Sequence, residues 1–130
     1  MSNPPHLPIV ILGGGHMGGA LAVRWHKTGI APVHVVERDP ARIRTLEAHG
    51  LTVHAELEAA PTSTSAFVLA IKPQQFAELK ATIAKTAAAQ SLLISIMAGI
   101  PLAALEECSQ RAVRIMPNLA VMVGAGMNVA

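Results

Sequence analysis

The sequence predicts an α/β fold, with a doubly wound, mostly parallel sheet and helices on both faces. Short apolar runs alternate along the chain with longer segments of helical periodicity. The apolar runs lack polar alternation, which is typical of parallel strands buried on both faces. The first run, Ile9–Leu12, is followed by a glycine-rich turn and then by helix-forming residues. Strands joined through helices in this way predict right-handed crossovers in one sheet.

The first strand and helix are predicted from local signals. Residues 1–7 contain polar residues and prolines and are expected to form a loose tail, so the domain is predicted to begin at residue 8. The first strand is predicted at residues 9–12, and a helix from residue 16 or 17 to 28, ended by Gly29. Apolar side chains spaced by four residues predict its buried stripe as Met17, Leu21 and Trp25.

The remaining elements follow in the same alternation. Asp39 as N-cap and Pro40 at the first helical position predict a second helix, and Pro73 opens a third. Further strands are expected at residues 33–36, 51–54, 65–71, 91–97 and 112–116, and a short helix at 101–109. Residues 56–60 form a weak segment, and residues 119–130 are expected to hold a turn of helix, a bend and the start of a last strand.

The glycine turn indicates a nucleotide site. Gly13, Gly15 and Gly18 have the spacing in which the first glycine allows a sharp turn, the second admits a pyrophosphate and the third lets helix and strand pack closely. Phosphates would sit at the helix N-terminus, where free N–H groups and the helix dipole favour anions. Glu37 follows the second strand, where a ribose-binding acid is expected. A purely steric glycine turn is the alternative.

Composition excludes several other classes. Aromatic residues make up 2% of the chain and the net charge is +2, which argues against nucleic acid as a partner. A single cysteine, Cys108, excludes an internal disulfide and favours a reducing compartment. No signal peptide or membrane-spanning run is predicted, and the six histidines lack zinc-site spacing. A cytoplasmic protein without a metal is therefore expected.

Three further stretches end predicted strands, where ligands bind in open α/β sheets. They are AIKPQ at residues 70–74, SIMAGI at 95–100 and RIMPN at 114–118. With the glycine turn, and in this order, they resemble the N-terminal domain of the pyrroline-5-carboxylate reductase family over residues 9–126. The resemblance implies a Rossmann-like fold and hydride transfer from a reduced nicotinamide to the C=N carbon of 1-pyrroline-5-carboxylate, giving L-proline.

The resemblance also assigns residues. Residues 13–17 would hold the pyrophosphate, residues 70, 72 and 73 would border the nicotinamide half, and residues 98–99 with 117–118 would shape the floor of the site. No catalytic residue is identifiable in this chain. The predicted cofactor-binding residues are Gly13, Gly14, Gly15, His16, Met17, Gly18, Glu37, Arg38, Ala70, Lys72, Pro73, Ala98, Gly99, Pro117 and Asn118.

This sequence departs from the family pattern in two places and in length. His16 replaces the usual Asn, and Leu119 and Val121 change the substrate-side edge. The family carries a second, all-helical domain that forms homo-oligomers and supplies most of the substrate-binding residues, and its motifs are absent here. We therefore expect residues 8–130 to form a cofactor-binding domain that ends inside the last strand and has little or no activity alone.

The choice between NADP and NAD rests on the region after the second strand. Glu37 favours NAD because its carboxylate accepts hydrogen bonds from a ribose and repels a 2′-phosphate. Arg38 and Arg42 are both placed to clamp that phosphate, which favours NADP. The sequence leans slightly to NADP with NAD accepted.

Two rival functions remain open at this point. One is a stand-alone nucleotide-binding or regulatory module without catalysis. The other is a related coenzyme F420-dependent NADP reductase, which the KPQ and MPN stretches at residues 72–74 and 116–118 argue against.

Overall fold

The computed structural model describes residues 7–29, 31–61, 63–86 and 91–115. Within them, six parallel strands form one sheet in the order β3-β2-β1-β4-β5-β6. The strands are β1 (Ile9–Leu12), β2 (Val33–Val36), β3 (Thr52–His54), β4 (Ala66–Leu69), β5 (Leu92–Ser95) and β6 (Ala112–Arg114). The helices are α1 (His16–Thr28), α2 (Pro40–Ala48), α3 (Pro73–Ala84) and α4 (Leu102–Glu106). The predicted Rossmann-like fold is confirmed, with every described strand pair parallel.

Strand β1 lies at the centre of the sheet, between β2 and β4. All four of its residues are buried, as expected for an uninterrupted apolar run covered by helices on both faces. Because the chain first builds outward through β2 and β3 and then returns to β4, the strand order reverses beside β1. The carboxyl ends of β1, β2 and β4 therefore border the crevice in which open α/β sheets bind ligands.

The helices cover both faces of the sheet and form two cores. On one face, Val10 and Phe67 pack with Phe76 and Ile83 of α3 and with Leu105 of α4. On the other face, side chains of the sheet pack with residues of α1 and α2, and this cluster includes Ile11, Val35, Val68, Ala22 and Leu46. The alternation of side chains along each strand divides the apolar residues between these two layers.

The stripe predicted for α1 is wrong in its detail. Met17, Leu21 and Trp25 are only partly buried, whereas the buried residues of the helix are Gly18 and Ala22. Helix α1 approaches the sheet so closely that only small side chains fit beneath it. Leu21 and Trp25 instead pack along the margin of the core. The four-residue spacing of apolar side chains identified the helix correctly. It placed the residues that contact the sheet one position too early, at Met17 and Leu21 instead of Gly18 and Ala22.

The capping signals of the first two helices are confirmed. Helix α1 ends at Gly29, which has φ of 68° in the left-handed region and donates its N–H to the carbonyls of Trp25 and His26. Helix α2 begins after Asp39, whose carboxylate accepts the N–H of Arg42 at 3.0 Å.

The later elements lie where they were predicted, and most are shorter. The segment at residues 56–60 contains a 3-10 turn at Leu57–Ala59. The predictions for residues 1–6 and 116–130 lie outside the described residues. None of the helices in the described ranges combines the length and the hydrophobicity that a membrane-spanning segment requires.

Two histidines pair at the β2–β3 edge. The Nδ1 atom of His34 lies 2.9 Å from the Nε2 atom of His54. The ring planes differ by 2° and the centroids are 5.2 Å apart, so the rings meet edge to edge through an N–H···N hydrogen bond. One nitrogen donates and the other accepts, which requires at least one neutral ring. Burial, and secondarily the neighbouring His54, lower the pKa of His34 below 6.5.

We predict that this pair makes stability fall in mild acid. The folded state binds a proton on His34 less tightly than the unfolded chain does, so its contribution is complete above about pH 6.5 and is lost as pH falls through the lowered pKa. Thermal melts between pH 7.5 and 5 measure the effect. His34→Gln should flatten the profile relative to a matched His49→Gln variant. Equal profiles for the wild type and His34→Gln would contradict the assignment.

Candidate functional site

A glycine turn lies at the point where the strand order reverses. It directly follows β1 and joins both neighbouring strands. The N–H of Gly13 donates to the carbonyl of Val36 at 2.9 Å, and the N–H of Ala70 donates to the carbonyl of Leu12 at 2.8 Å. The turn is therefore fixed at the carboxyl edge of the sheet, as the sequence predicted.

Gly13 and Gly18 are glycines because the backbone leaves no room for a side chain. Gly13 has φ of +105°, and a Cβ there would lie 2.6 Å from the carbonyl oxygen of Ala70. A Cβ on Gly18 would overlap the carbonyl oxygen of Gly13 and lie 2.9 Å from the Cβ of Ala70. These contacts match the predicted roles of the first and third glycines, a sharp turn and close packing of helix on strand.

Gly14 has a packing role that the motif alone did not reveal. A Cβ there would lie 2.6 Å from the Cδ1 of Leu46 in α2 and 3.2 Å from the Cγ1 of Val35. The absence of a side chain at Gly14 therefore lets the second helix close against the turn.

Gly15 is different, because packing does not explain it. It is the N-cap of α1 with φ of −74°, a value that any residue adopts. The nearest atoms to a Cβ built there belong to the guanidinium of Arg42, at 3.4 to 3.8 Å. No side chain caps this helix N-terminus among the described residues. This N-terminus, bordered by the Arg42 guanidinium, therefore suits a group that accepts hydrogen bonds from the backbone N–H groups of the first turn.

Glu37 is tied to the turn more closely than its sequence position suggested. Its Oε1 atom accepts the N–H of Gly14 at 2.7 Å. Its Oε2 atom accepts the N–H groups of Arg38 at 3.0 Å and Asp39 at 2.9 Å. The side chain is 10% exposed. A carboxylate offers about four acceptor positions, so three are used by the backbone and about one is left for a ligand.

The two arginines named as phosphate clamps take separate directions. Arg38 pairs with Glu56, its Nη2 lying 3.0 Å from Oε2, and both side chains are well exposed. Arg42 points back across the glycine turn, where its Nη1 lies 3.8 Å from Oε1 of Glu37. The two arginines therefore lie near different carboxylates, although both line one cavity.

A cavity of about 200 Å³ lies beside the glycine turn. It is lined by Leu12 and Val36, at the ends of β1 and β2, and by Glu37, Arg38 and Arg42. The lining also contains residues that sequence reasoning did not select, namely Ala55, Leu57, Glu58, Ile71, Gln75, Glu78, Leu79 and Thr82. They come from the loops after β3 and β4 and from α3, so no local motif marks them.

The other predicted residues lie at the same edge of the sheet. His16 is exposed and Met17 half-buried in the first turn of α1, and Ala70 is half-buried after β4. Four more of the predicted cofactor-binding residues are exposed: Lys72 and Pro73 at the start of α3, and Ala98 and Gly99 after β5. Pro117 and Asn118 lie outside the described residues.

The described residues hold neither a cluster of metal-ligating side chains nor an exposed cysteine. Among them, no group of three His, Cys, Asp or Glu side chains is placed to hold a metal ion. Cys108 is buried, and burial raises the pKa of its thiol, an effect that the charge of Lys80 partly opposes. A protonated, enclosed thiol is a packing residue and a poor nucleophile.

The parallel sheet with its strand reversal and the glycine turn define a nicotinamide nucleotide-binding oxidoreductase domain. More specifically, the chain belongs to the family described as "NADP oxidoreductase coenzyme F420-dependent", which matches residues 8–99.

Curated proteins with a similar sequence are named pyrroline-5-carboxylate reductase, which differs from the family description. The chain is 31% identical over 129 residues to pyrroline-5-carboxylate reductase of Corynebacterium melassecola, with 92% of this chain and 48% of that protein covered. It is 33% identical over 127 residues to the Haemophilus influenzae protein of the same name, with 94% and 47% covered. The chain thus spans about half the length of the curated relatives that it matches.

Solved structures agree with the fold. Pyrroline-5-carboxylate reductase from Coxiella burnetii superposes with a TM-score of 0.71 at 26% identity, covering 86% of this chain and 44% of that one. Prephenate dehydrogenase from A. aeolicus, in complex with NAD+, superposes with a TM-score of 0.73 at 17% identity, covering 87% and 42%, and supports the fold alone.

Proposed function

We propose that residues 8–130 form the NAD(P)H-binding half of a reductase that transfers hydride to the C=N bond of 1-pyrroline-5-carboxylate, giving L-proline. The observation that carries the proposal is Gly15, a glycine without a packing role at a helix N-terminus that no described side chain caps and that the Arg42 guanidinium borders. The choice of substrate rests on the relatives named pyrroline-5-carboxylate reductase, which come from bacteria, an archaeon and a plant.

The glycine turn and the first turn of α1 would hold the pyrophosphate. Backbone N–H groups of His16 and Met17 lie in that first turn, and the helix dipole adds about half a positive charge there. A Cβ at Gly15 would project into the space that the phosphates require, which fits a dinucleotide. The bound nicotinamide would supply the hydride, while the protein's part is to position it and exclude competing reactions.

The nicotinamide half is proposed to lie toward the ends of β4 and β5. Ala70, Lys72 and Pro73 border that side after β4, and Ala98 and Gly99 follow β5. Pro117 and Asn118 complete the proposed set. The described members, which follow β4 and β5, share the carboxyl edge of the sheet with the glycine turn, so one extended ligand running along the edge would meet both groups.

We propose that the protein acts on this small-molecule substrate in the cytoplasm, without nucleic acid or membrane as a partner. The homo-oligomer and most substrate contacts are assigned to a helical half, corresponding to the part of the relatives that this chain does not match. Coenzyme F420, which the family description mentions, is not favoured as the cofactor. The relatives that match 92% and 94% of this chain are both named pyrroline-5-carboxylate reductase.

Calorimetric titration of the chain with NADPH and NADH tests cofactor binding directly. We expect saturable binding of both, with NADPH slightly preferred. Binding of neither dinucleotide would overturn the proposal.

The substrate is tested by a chimaera in which this chain replaces the matched half of the Haemophilus influenzae relative. A chimaera that folds and binds NADPH but makes no proline would contradict the assigned reaction.

Glu37 is predicted to govern the choice between the two cofactors. In Glu37→Ala, loss of the carboxylate should strengthen NADPH binding relative to NADH, because a 2′-phosphate no longer meets a negative charge. The variant also leaves the N–H groups of Gly14, Arg38 and Asp39 without their acceptor, which should cost about 2 kcal/mol of stability. The ratio of the two dissociation constants is therefore the measurement. An unchanged ratio would remove Glu37 from cofactor selection.

A further inference from the structure

The Arg42 guanidinium lies over the glycine turn as well as near Glu37. All three guanidinium atoms near Gly15 fall at 3.4, 3.5 and 3.8 Å from the position of its ideal Cβ. In a dinucleotide-binding turn, this second glycine is the one that the pyrophosphate approaches. The guanidinium therefore borders the space that the two bridging phosphates would enter.

The position of Arg42 is set by the start of α2. Its backbone N–H donates to the Asp39 carboxylate at 3.0 Å, which fixes the first turn of the helix. From there the side chain crosses to the glycine turn, whereas Arg38 extends away to Glu56. The fold thus gives the two arginines different surroundings although they are four residues apart.

The guanidinium is available to a ligand. Its distance of 3.8 Å to Glu37 is longer than a hydrogen bond, and its side chain is 56% exposed, so the ion pair restrains it little. No acceptor among the described residues lies within hydrogen-bond distance of it. Five N–H donors in a planar fork match the oxygens of a phosphate.

Charge gives a second reason for a cation at this position. The Glu37 carboxylate accepts the N–H of Gly14, so a negative group already lies against the turn. A diphosphate beside Gly15 would face this carboxylate across a short distance. The Arg42 guanidinium lies near both Glu37 and Gly15, where it would offset the repulsion between the two anions.

We infer that Arg42 binds the pyrophosphate of the dinucleotide, an inference that rests on the proposed function. It differs from the expectation that Arg42 and Arg38 jointly clamp a 2′-phosphate. As a pyrophosphate ligand, Arg42 adds affinity for NADH and NADPH equally. It contributes nothing to the discrimination between them.

The test is calorimetric titration of the wild-type chain and of Arg42→Gln with NADPH, NADH and ADP-ribose. ADP-ribose carries the pyrophosphate without nicotinamide or 2′-phosphate. We expect Arg42→Gln to weaken all three by a similar factor of about ten, as for loss of a charge-assisted hydrogen bond. Arg44→Gln is the matched control, since it removes the same charge from an exposed position of the same helix and should leave affinity unchanged.

Each other outcome is decisive. A loss confined to NADPH would assign Arg42 to the 2′-phosphate and overturn the inference. Equal affinities for wild type and Arg42→Gln, or an equal loss in Arg44→Gln, would also overturn it while leaving the proposed function intact. If the wild-type chain binds none of the three nucleotides, the proposed function itself fails. Circular dichroism melts of both variants verify that the fold is unchanged.

Discussion

Gly18→Ala lowers the free energy of unfolding by about 3 kcal/mol, the largest stability effect that we expect from a single methyl group in this chain. The added Cβ would overlap the carbonyl oxygen of Gly13 and lie 2.9 Å from the Cβ of Ala70. Neither neighbour is the end of a flexible side chain, so α1 must move away from the sheet. That movement would loosen the contact line of Gly18 and Ala22 on which the helix rests.

The adjacent glycine provides the control. A Cβ on Gly19 would lie 3.1 Å from the carbonyl oxygen of Gly14, a tight contact that a small shift relieves. Alanine also favours a helix over glycine by about 1 kcal/mol at either position. Gly19→Ala should therefore stay within about 1 kcal/mol of the wild type. Chemical denaturation measures both variants, and equal stabilities would show that α1 does not pack as closely as its backbone indicates.

Gly15→Val should have the opposite profile, with binding lost and the fold retained. The valine side chain would occupy the space beyond the helix N-terminus and prevent phosphates from reaching the backbone N–H groups. We expect an affinity loss of about 100-fold for NADPH and NADH, comparable to about 3 kcal/mol of steric overpacking. The backbone angles suit any residue, so stability should fall by only about 1 kcal/mol through the poorer N-cap.

Gly15→Ala tests whether the loss of affinity depends on the size of the side chain at position 15. Its single Cβ should give a smaller affinity loss than valine, with a nearly unchanged melting temperature. Calorimetric titration and thermal melts of both variants provide the two measurements. Full affinity in Gly15→Val would mean that the phosphates do not approach this glycine, and the proposed nucleotide site would then be wrong.

Local sequence signals were sufficient for most of the framework. The apolar run of β1, the glycine stop of α1 at Gly29 and the Asp39-Pro40 start of α2 each act within a few residues, so the sequence places them correctly. The spacing of the glycines also predicted the turn and its two steric roles. Such signals are readable because backbone conformation depends mainly on the nearest neighbours.

The arrangement of the site depended on contacts between distant parts of the chain. Periodicity alone favoured Met17 over Gly18 as the contact line of α1, because it carries no information on how closely the sheet approaches. The cavity lining that includes Leu57 and Ile71 likewise comes from segments that meet only after folding.

The sequence by itself determined a Rossmann-like sheet, the glycine turn at its reversal point and the acid that follows β2. Only the tertiary structure decided how these parts are used. It turns Glu37 inward onto the N–H of Gly14, 23 residues away, and places Arg42 over Gly15. These positions are set by the packing of α2 against the turn, which a glycine at position 14 permits and which no local pattern specifies.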